Sequence, residues 1–309
     1  MLLICGIPSE PPMALVAEAA AAAGVPCVML SQRAAMHADL MVELVGGELS
    51  GRLWLGEESW PLGAFGGIYN RLTDHRTLPE LQCRGRTPPA DSLVEHVAAL
   101  HALLASWIDV APGRVLNRSR PTATNGSKPY QLRRIGLVGF EVPPTLVTND
   151  PEAVGAFAAQ HGRVIYKSVS SVRSIVRELG SPDLGRLDRV RCLPVQFQAY
   201  VPGRNVRVHV VGQHVFATEI ETPALDYRYA ARDSLPVVMR PIRLPHDVEA
   251  RCLALSTALE LPFCGIDLKR TPEDRWFCFE VNPSPAFSYY EAETGQPIAQ
   301  AVVDWLAGG

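Results

Sequence analysis

The residues best placed to do chemistry lie near the end of the chain. In Trp276-Phe-Cys-Phe-Glu280-Val-Asn282, the period-two alternation of a strand puts Cys278, Glu280 and Asn282 on one face and Phe277, Phe279 and Val281 on the other. A second strand candidate over 263–270 precedes it, with Thr271-Pro-Glu-Asp274 between them. If those four residues form a hairpin loop, 270 opposes 275 and 267 opposes 278. Asp267 then shares a face with Glu280, diagonal to it at roughly 7–8 Å. Two carboxylates and an amide oxygen converge without being sequence neighbours. An all-oxygen donor set suits Mg²⁺, which takes one or two carboxylates together with phosphate oxygens and water. No His or Cys grouping has zinc spacing. The pattern alone suits equally well a pair of solvated charges on an exposed sheet face.

Isolated cations form the second signal. Lys167 sits in Val-Ile-Tyr-Lys-Ser, and Arg207 in Asn205-Val-Arg-Val-His209. On a cleft-facing sheet such a cation needs an anion, and a polyphosphate supplies one. On a solvent face it needs nothing.

The elements that must position these groups follow from periodicity and turn chemistry. Strands are expected over 2–7, 25–30 and 67–72, with a helix over 11–23 ended by Gly24, the start of an open α/β sheet. A long helix over 91–110 shows Leu93, Val94, Val97, Leu100, Leu104, Trp107 and Ile108 on one broad face, with Asp91 as its N-cap. Residues 73–90 read as a loop. Beyond Ala111-Pro-Gly113, helices are expected over 127–136 and from Asp150-Pro151 to Gly162, and a strand over 163–169. Residues 205–211 and 214–220 form a hairpin about Gly212-Gln213. Helices over 247–259 and 296–306 complete the chain.

Composition sets the class. The 309 residues are 47% hydrophobic and 20% charged, with a net charge of −3, which suits a globular protein of two domains. No basic excess exists to displace counterions from a nucleic-acid backbone. The Ala-rich stretch 13–23 carries Glu18 and is too short to span a bilayer, so neither signal peptide nor membrane segment is expected, and the location expected is cytoplasmic. The seven cysteines contain no C-x-x-C pair and read as reduced, buried thiols.

Residues 116–309 resemble the ATP-grasp superfamily, specifically its RimK-like branch of carboxylate–amine ligases. Gly265-Ile-Asp267-Leu with Phe279-Glu280-Val-Asn282-Pro-Ser-Pro285 is similar to that branch's closing metal motif. Phe197-Gln-Ala-Tyr200-Val201 through Gly212 resembles its nucleotide hinge and following strands. Asn125-Gly-Ser-Lys128-Pro-Tyr-Gln resembles its first nucleotide-facing helix, and Tyr166-Lys167-Ser its second phosphate-binding strand. The resemblance implies an α/β (α+β) ATP-grasp fold: an N-terminal Rossmann-like domain over 1–115, a central subdomain over 116–194 and a C-terminal catalytic subdomain over 195–309. It implies that Lys128, Lys167 and Ser168 contact phosphates, and that Gln198, Ala199, Tyr200 and Val201 line the adenine edge. Asn205 would face the ribose, and Asp267, Glu280 and Asn282 would hold Mg²⁺, two ions, with Mn²⁺ able to substitute. Arg207 and Arg228 would stabilise the transferring phosphoryl group.

Three departures from the branch stand out. Ala199 replaces a common acidic residue, Asn205 replaces Asp, and the loop Ser168-Val-Ser-Ser-Val-Arg173-Ser lacks glycine. That serine/arginine loop is similar to the one in microviridin-type peptide ligases. The activity expected is ADP-forming joining of a carboxylate to an amine through an acyl phosphate, on a peptide or amino acid. A macrocyclase forming side-chain esters or amides, a small-molecule kinase on the same fold and a non-catalytic nucleotide-binding module are the alternatives. Asp226 and Glu221 are candidate bases, and Arg71, with the basic loop containing His75, Arg76, Arg84 and Arg86, is a candidate for binding an acidic substrate. The sequence leaves open whether the protein is a homodimer.

Overall fold

The computed structural model describes residues 1–82, 90–169, 176–224, 226–230 and 234–308. Cys83, Arg84, Arg86 and Arg173 lie outside the described residues. The chain divides into two units, one of residues 1–122, 260–263 and 283–309, the other of residues 123–259 and 264–282.

The first unit is built on a parallel sheet in the order Cys27–Ser31, Leu2–Gly6, Gly67–Asn70, Arg114–Leu116. Leu2–Gly6 is buried at every residue, as a parallel strand covered on both faces must be. The helix Asp91–Val110 buries Val97, Leu100, Leu104, Trp107 and Ile108, and starts at Asp91 with Ala90 as its cap. Asp91 therefore sits in the first turn, where its charge still suits the helix dipole. By length and hydropathy this helix could cross a bilayer, yet those five residues pack into a core with Leu3, Leu30, Phe65 and Ile68. Gly67 is required where it stands, since a Cβ there would come within 2.5 Å of the Leu306 carbonyl oxygen. That close approach seats the terminal helix Ile298–Ala307 against the sheet.

The first unit also holds an antiparallel sheet of Ala38–Val45, Glu48–Leu55 and Glu58–Pro61. Its first hairpin closes through Gly46-Gly47, both with positive φ, the conformation a two-residue primed turn requires.

The second unit carries two antiparallel sheets. Four strands run in the order Arg177–Glu178, Val164–Ser168, Val195–Ala199, Thr145–Thr148. Five run in the order Val238–Ile242, His214–Glu221, Arg204–Val211, Phe263–Arg270, Trp276–Asn282. The helix Pro151–His161 is capped as its sequence demands: Asp150 accepts from the Glu152 N–H, and Gly162 follows with φ +69°. The Gly212-Gln213 turn joins Val211 to His214. Cys5, Cys252, Cys264 and Cys278 are free and buried, whereas Cys27 and Cys192 are free but exposed. The apolar neighbours of Cys27 do not bury it, because its strand lies at the edge of the parallel sheet.

Candidate active site

The hairpin of Phe263–Arg270 and Trp276–Asn282 brings the carboxylates together by a different register from the simple four-residue loop. Arg270 pairs with Trp276, Leu268 with Cys278, and after a shift Asp267 pairs with Glu280 and Gly265 with Asn282. Two single-residue offsets add. The turn takes in Arg275, with Asp274 in the left-handed region at φ +61°, and Phe279 is the extra residue of a bulge. Asp267 and Glu280 therefore face each other directly instead of diagonally. The bulge also breaks the alternation: Phe279 and Glu280 both line the cleft, while Cys278 is fully buried.

Glu280 lies between two cations. Lys128 Nζ donates to Oε1, and Lys167 Nζ approaches Oε2 at 3.3 Å. Lys128 is 4% exposed and opens the helix Lys128–Leu137, an end where the dipole disfavours a cation. Glu280 and the Asn125 side-chain oxygen, 3.2 Å from Nζ, offset that cost. Burial works against the charge on Glu280, but Lys167 and Lys128 outweigh it and hold the carboxyl at about 2. One turn along, Gln131 donates to the Val281 carbonyl at 2.8 Å and accepts from its N–H at 3.3 Å. Trp276–Asn282 is the sheet's edge strand, and this amide takes the place of a missing neighbour.

Asp267 carries its own cation. Arg207 Nη1 donates to Oδ1 at 2.7 Å, and the Tyr227 hydroxyl lies 3.3 Å from the same oxygen. Arg207 is 5% exposed, and a Cβ on Gly265 would fall on its guanidinium. His209 lies beside it, Nε2 at 3.5 Å from Arg207 Nε. Burial, then the Arg207 charge, pushes the imidazole pKa well below its usual range, so the ring stays neutral. Arg228 forks onto Asp226 through Nε and Nη2, and both line the cleft with Asn205, Gln198 and Lys167.

The segment expected to line the adenine edge, 198–201, lies at the end of the strand Val195–Ala199. Gln198 is buried and donates to Thr145 Oγ1 at 2.9 Å. The Ala199 N–H donates to the Pro144 carbonyl and the Tyr200 N–H to that of Arg163. The Val201 carbonyl accepts from Lys269 Nζ at 3.0 Å. The Arg163 guanidinium stacks 3.7 Å from the Tyr200 ring centre. Burial, then the Arg163 charge, lowers the Lys269 pKa. Ser168 ends its strand, exposed.

The structure thus gathers Lys128, Lys167, Arg207, Asp267 and Glu280 in two linked ion clusters, with Arg228 and Asn205 on the same cleft. Asn282 stands two pairs further along the hairpin, opposite Gly265. Lys269 and Tyr227 join the cleft without having been singled out by type or spacing, and Phe279, expected on the opposite face, joins it through the bulge. Lys269 falls two residues from Asp267 in the strand alternation, a signal that was there to be used. Arg71 is spent within the first unit: it is 10% exposed at its side chain, with Nε 3.1 Å from Glu10. The oxygens of Asp267, Glu280 and Asn282 fit a hard divalent cation. Among the described residues no three His, Cys, Asp or Glu side chains gather as a metal site.

The pattern of the RimK-like ATP-grasp domain family matches residues 184–306. No curated protein matches the sequence. Among solved structures, the macrocyclase MdnC bound with precursor peptide MdnA from Microcystis aeruginosa MRC is 22% identical, with a TM-score of 0.83 over 100% of both chains. A RiPP-associated ATP-grasp ligase of Chryseobacterium gregarium, in complex with ADP and a leader and core peptide, is 21% identical, with a TM-score of 0.83 over 100% of this chain and 97% of that one. The ATP-grasp ligase PsnB, complexed with minimal precursor, Mg and ADP, is 25% identical, with a TM-score of 0.76 over 99% of this chain and 96% of its own. Residues 184–306 thus match a RimK-like ATP-grasp domain, and along its whole length the chain shares the fold of these solved structures.

Proposed function

We propose that the protein is an ADP-forming ligase that activates a peptide carboxylate as an acyl phosphate and joins it to an amine. The observation that carries this reading is the placement of Glu280 between Lys128 and Lys167, directly opposite the Asp267–Arg207 pair. Phosphoryl transfer calls mainly for positioning and charge neutralisation. In this reading Lys128 and Lys167 turn from Glu280 to the phosphates of ATP, and Asp267, Glu280 and Asn282 hold Mg²⁺. When bound, the metal would neutralise phosphate charge; the reading takes two ions, with Mn²⁺ able to substitute. Arg207, fixed by Asp267 and by the space at Gly265, meets the charge that develops on the transferred group, and Arg228 flanks it. Phosphate then leaves the acyl carbon as the amine adds. Asn205 and the hinge 198–201 hold the nucleoside.

A peptide substrate is favoured over a free amino acid by the full-length likeness to proteins solved with precursor peptides. Because MdnC is named a macrocyclase, an intramolecular ester or amide between side chains is the second reading. The test measures ADP and phosphate release from Mg·ATP with a matrix of acidic peptides, free amino acids and amines, followed by product mass. Loss of one water from a peptide supports cyclisation, and addition of an amine supports intermolecular ligation. A stable phosphorylated product overturns both in favour of a kinase.

A further inference from the structure

Asn117 is 3% exposed, and its side-chain hydrogen bonds reach two distant stretches of backbone. Nδ2 donates to the Phe263 carbonyl at 2.5 Å and to the Pro283 carbonyl at 2.6 Å, while Oδ1 accepts from the Phe263 N–H at 3.1 Å. Its own carbonyl accepts from Asn70 Nδ2 at 2.8 Å. Phe263 is the first residue of the strand that carries Asp267, and Pro283 directly follows Asn282, the last residue of the strand that carries Glu280. One amide therefore ties both open ends of the acidic hairpin, opposite its turn. Arg71 adds a second tie through Nη1, 3.1 Å from the Pro285 carbonyl, with Glu10 steadying its Nε.

Such ties matter because the hairpin's register is not regular. It contains a bulge beside Glu280, and a slip of one residue turns every side chain of a strand to the other face. A pin at the open end blocks that slip. We propose that Asn117, assisted by Arg71, is a positioning residue: it sets the hairpin register that makes Asp267 and Glu280 converge, and so sets how strongly Mg²⁺ promotes nucleotide binding. This rests on the metal reading above.

The test titrates ADP into the wild type and Asn117→Ala by calorimetry, with and without Mg²⁺, well below each protein's Tm. Tightening of ADP binding by Mg²⁺ should fall about tenfold in the variant, as for other residues that orient metal ligands, while Mg²⁺-free affinity stays within about twofold. Unchanged tightening, or a parallel fall in both affinities, would overturn the proposal, the latter because it is what a merely structural role does. Should Asn117→Ala not fold, Asn70→Ala and Arg71→Met loosen the same ties less severely and must show the same split. A wild type whose ADP affinity ignores Mg²⁺ would overturn the metal reading and this proposal with it. A responsive wild type with indifferent variants would overturn the proposal alone.

Discussion

Asp267 stands directly opposite Glu280, and each carboxylate already holds cations of its own, Arg207 on one and Lys128 with Lys167 on the other. The ion pairs have a double character. They neutralise one another in the free protein, and the same groups are what a metal–phosphate complex would engage.

Glu280→Gln should therefore do two things. Leaving Lys128 and Lys167 without their carboxylate should cost about 3–5 kcal/mol, seen as a Tm several degrees lower. ADP formation should fall at least about 100-fold. A variant with full turnover would remove Glu280 from the reaction.

The double variant Lys128→Met/Glu280→Gln should regain about 1 kcal/mol or more of stability relative to Glu280→Gln, because the buried charge goes with its partner. Turnover should stay lost. Urea unfolding of the four proteins of this cycle measures the coupling, and simple additivity would contradict the buried pair.

Acid unfolding should reveal the same carboxylate. Its pKa is depressed in the folded state to about 2, from an unfolded value of 4.5. The stability it contributes is thus complete above about pH 4.5 and lost as the pH falls toward 2. The gap in urea midpoint between wild type and Glu280→Gln should be constant from neutral pH down to about 5 and close below it. A gap that persists at the lowest pH would show that the side chain acts through packing.

Gly265→Ala should displace Arg207, since the added methyl falls on the guanidinium. A loss of about 100-fold in kcat is expected, with lowered Tm. Adding Arg207→Ala should restore stability without restoring turnover. If Gly265→Ala is as active as wild type, Arg207 does not need that position.

The charged core of the site was legible in the sequence because single carboxylates and lysines stand out in apolar strands, and because Lys128, Lys167, Asp267 and Glu280 sit in recurring contexts. The register was not. It depends on Asp274 adopting a left-handed conformation and on the bulge at Phe279, and neither leaves a mark on the alternation of residue types. Asn117 was invisible for another reason: its partners lie 146 and 166 residues away and are backbone atoms, which have no letter in a sequence. The sheet over 38–61 did carry a signal, Gly46-Gly47 between two strands. Its strands are half-exposed and only weakly patterned, so the turn lacked flanks that confirm it.

The return of residues 283–309 to the first unit fixes an order of events during synthesis. The parallel sheet near the start is made early, but Gly67 meets Leu306 only after the whole second unit has left the ribosome. The first unit to be translated is thus the last to be completed, and until then one flank of its sheet has only solvent or a chaperone to cover it.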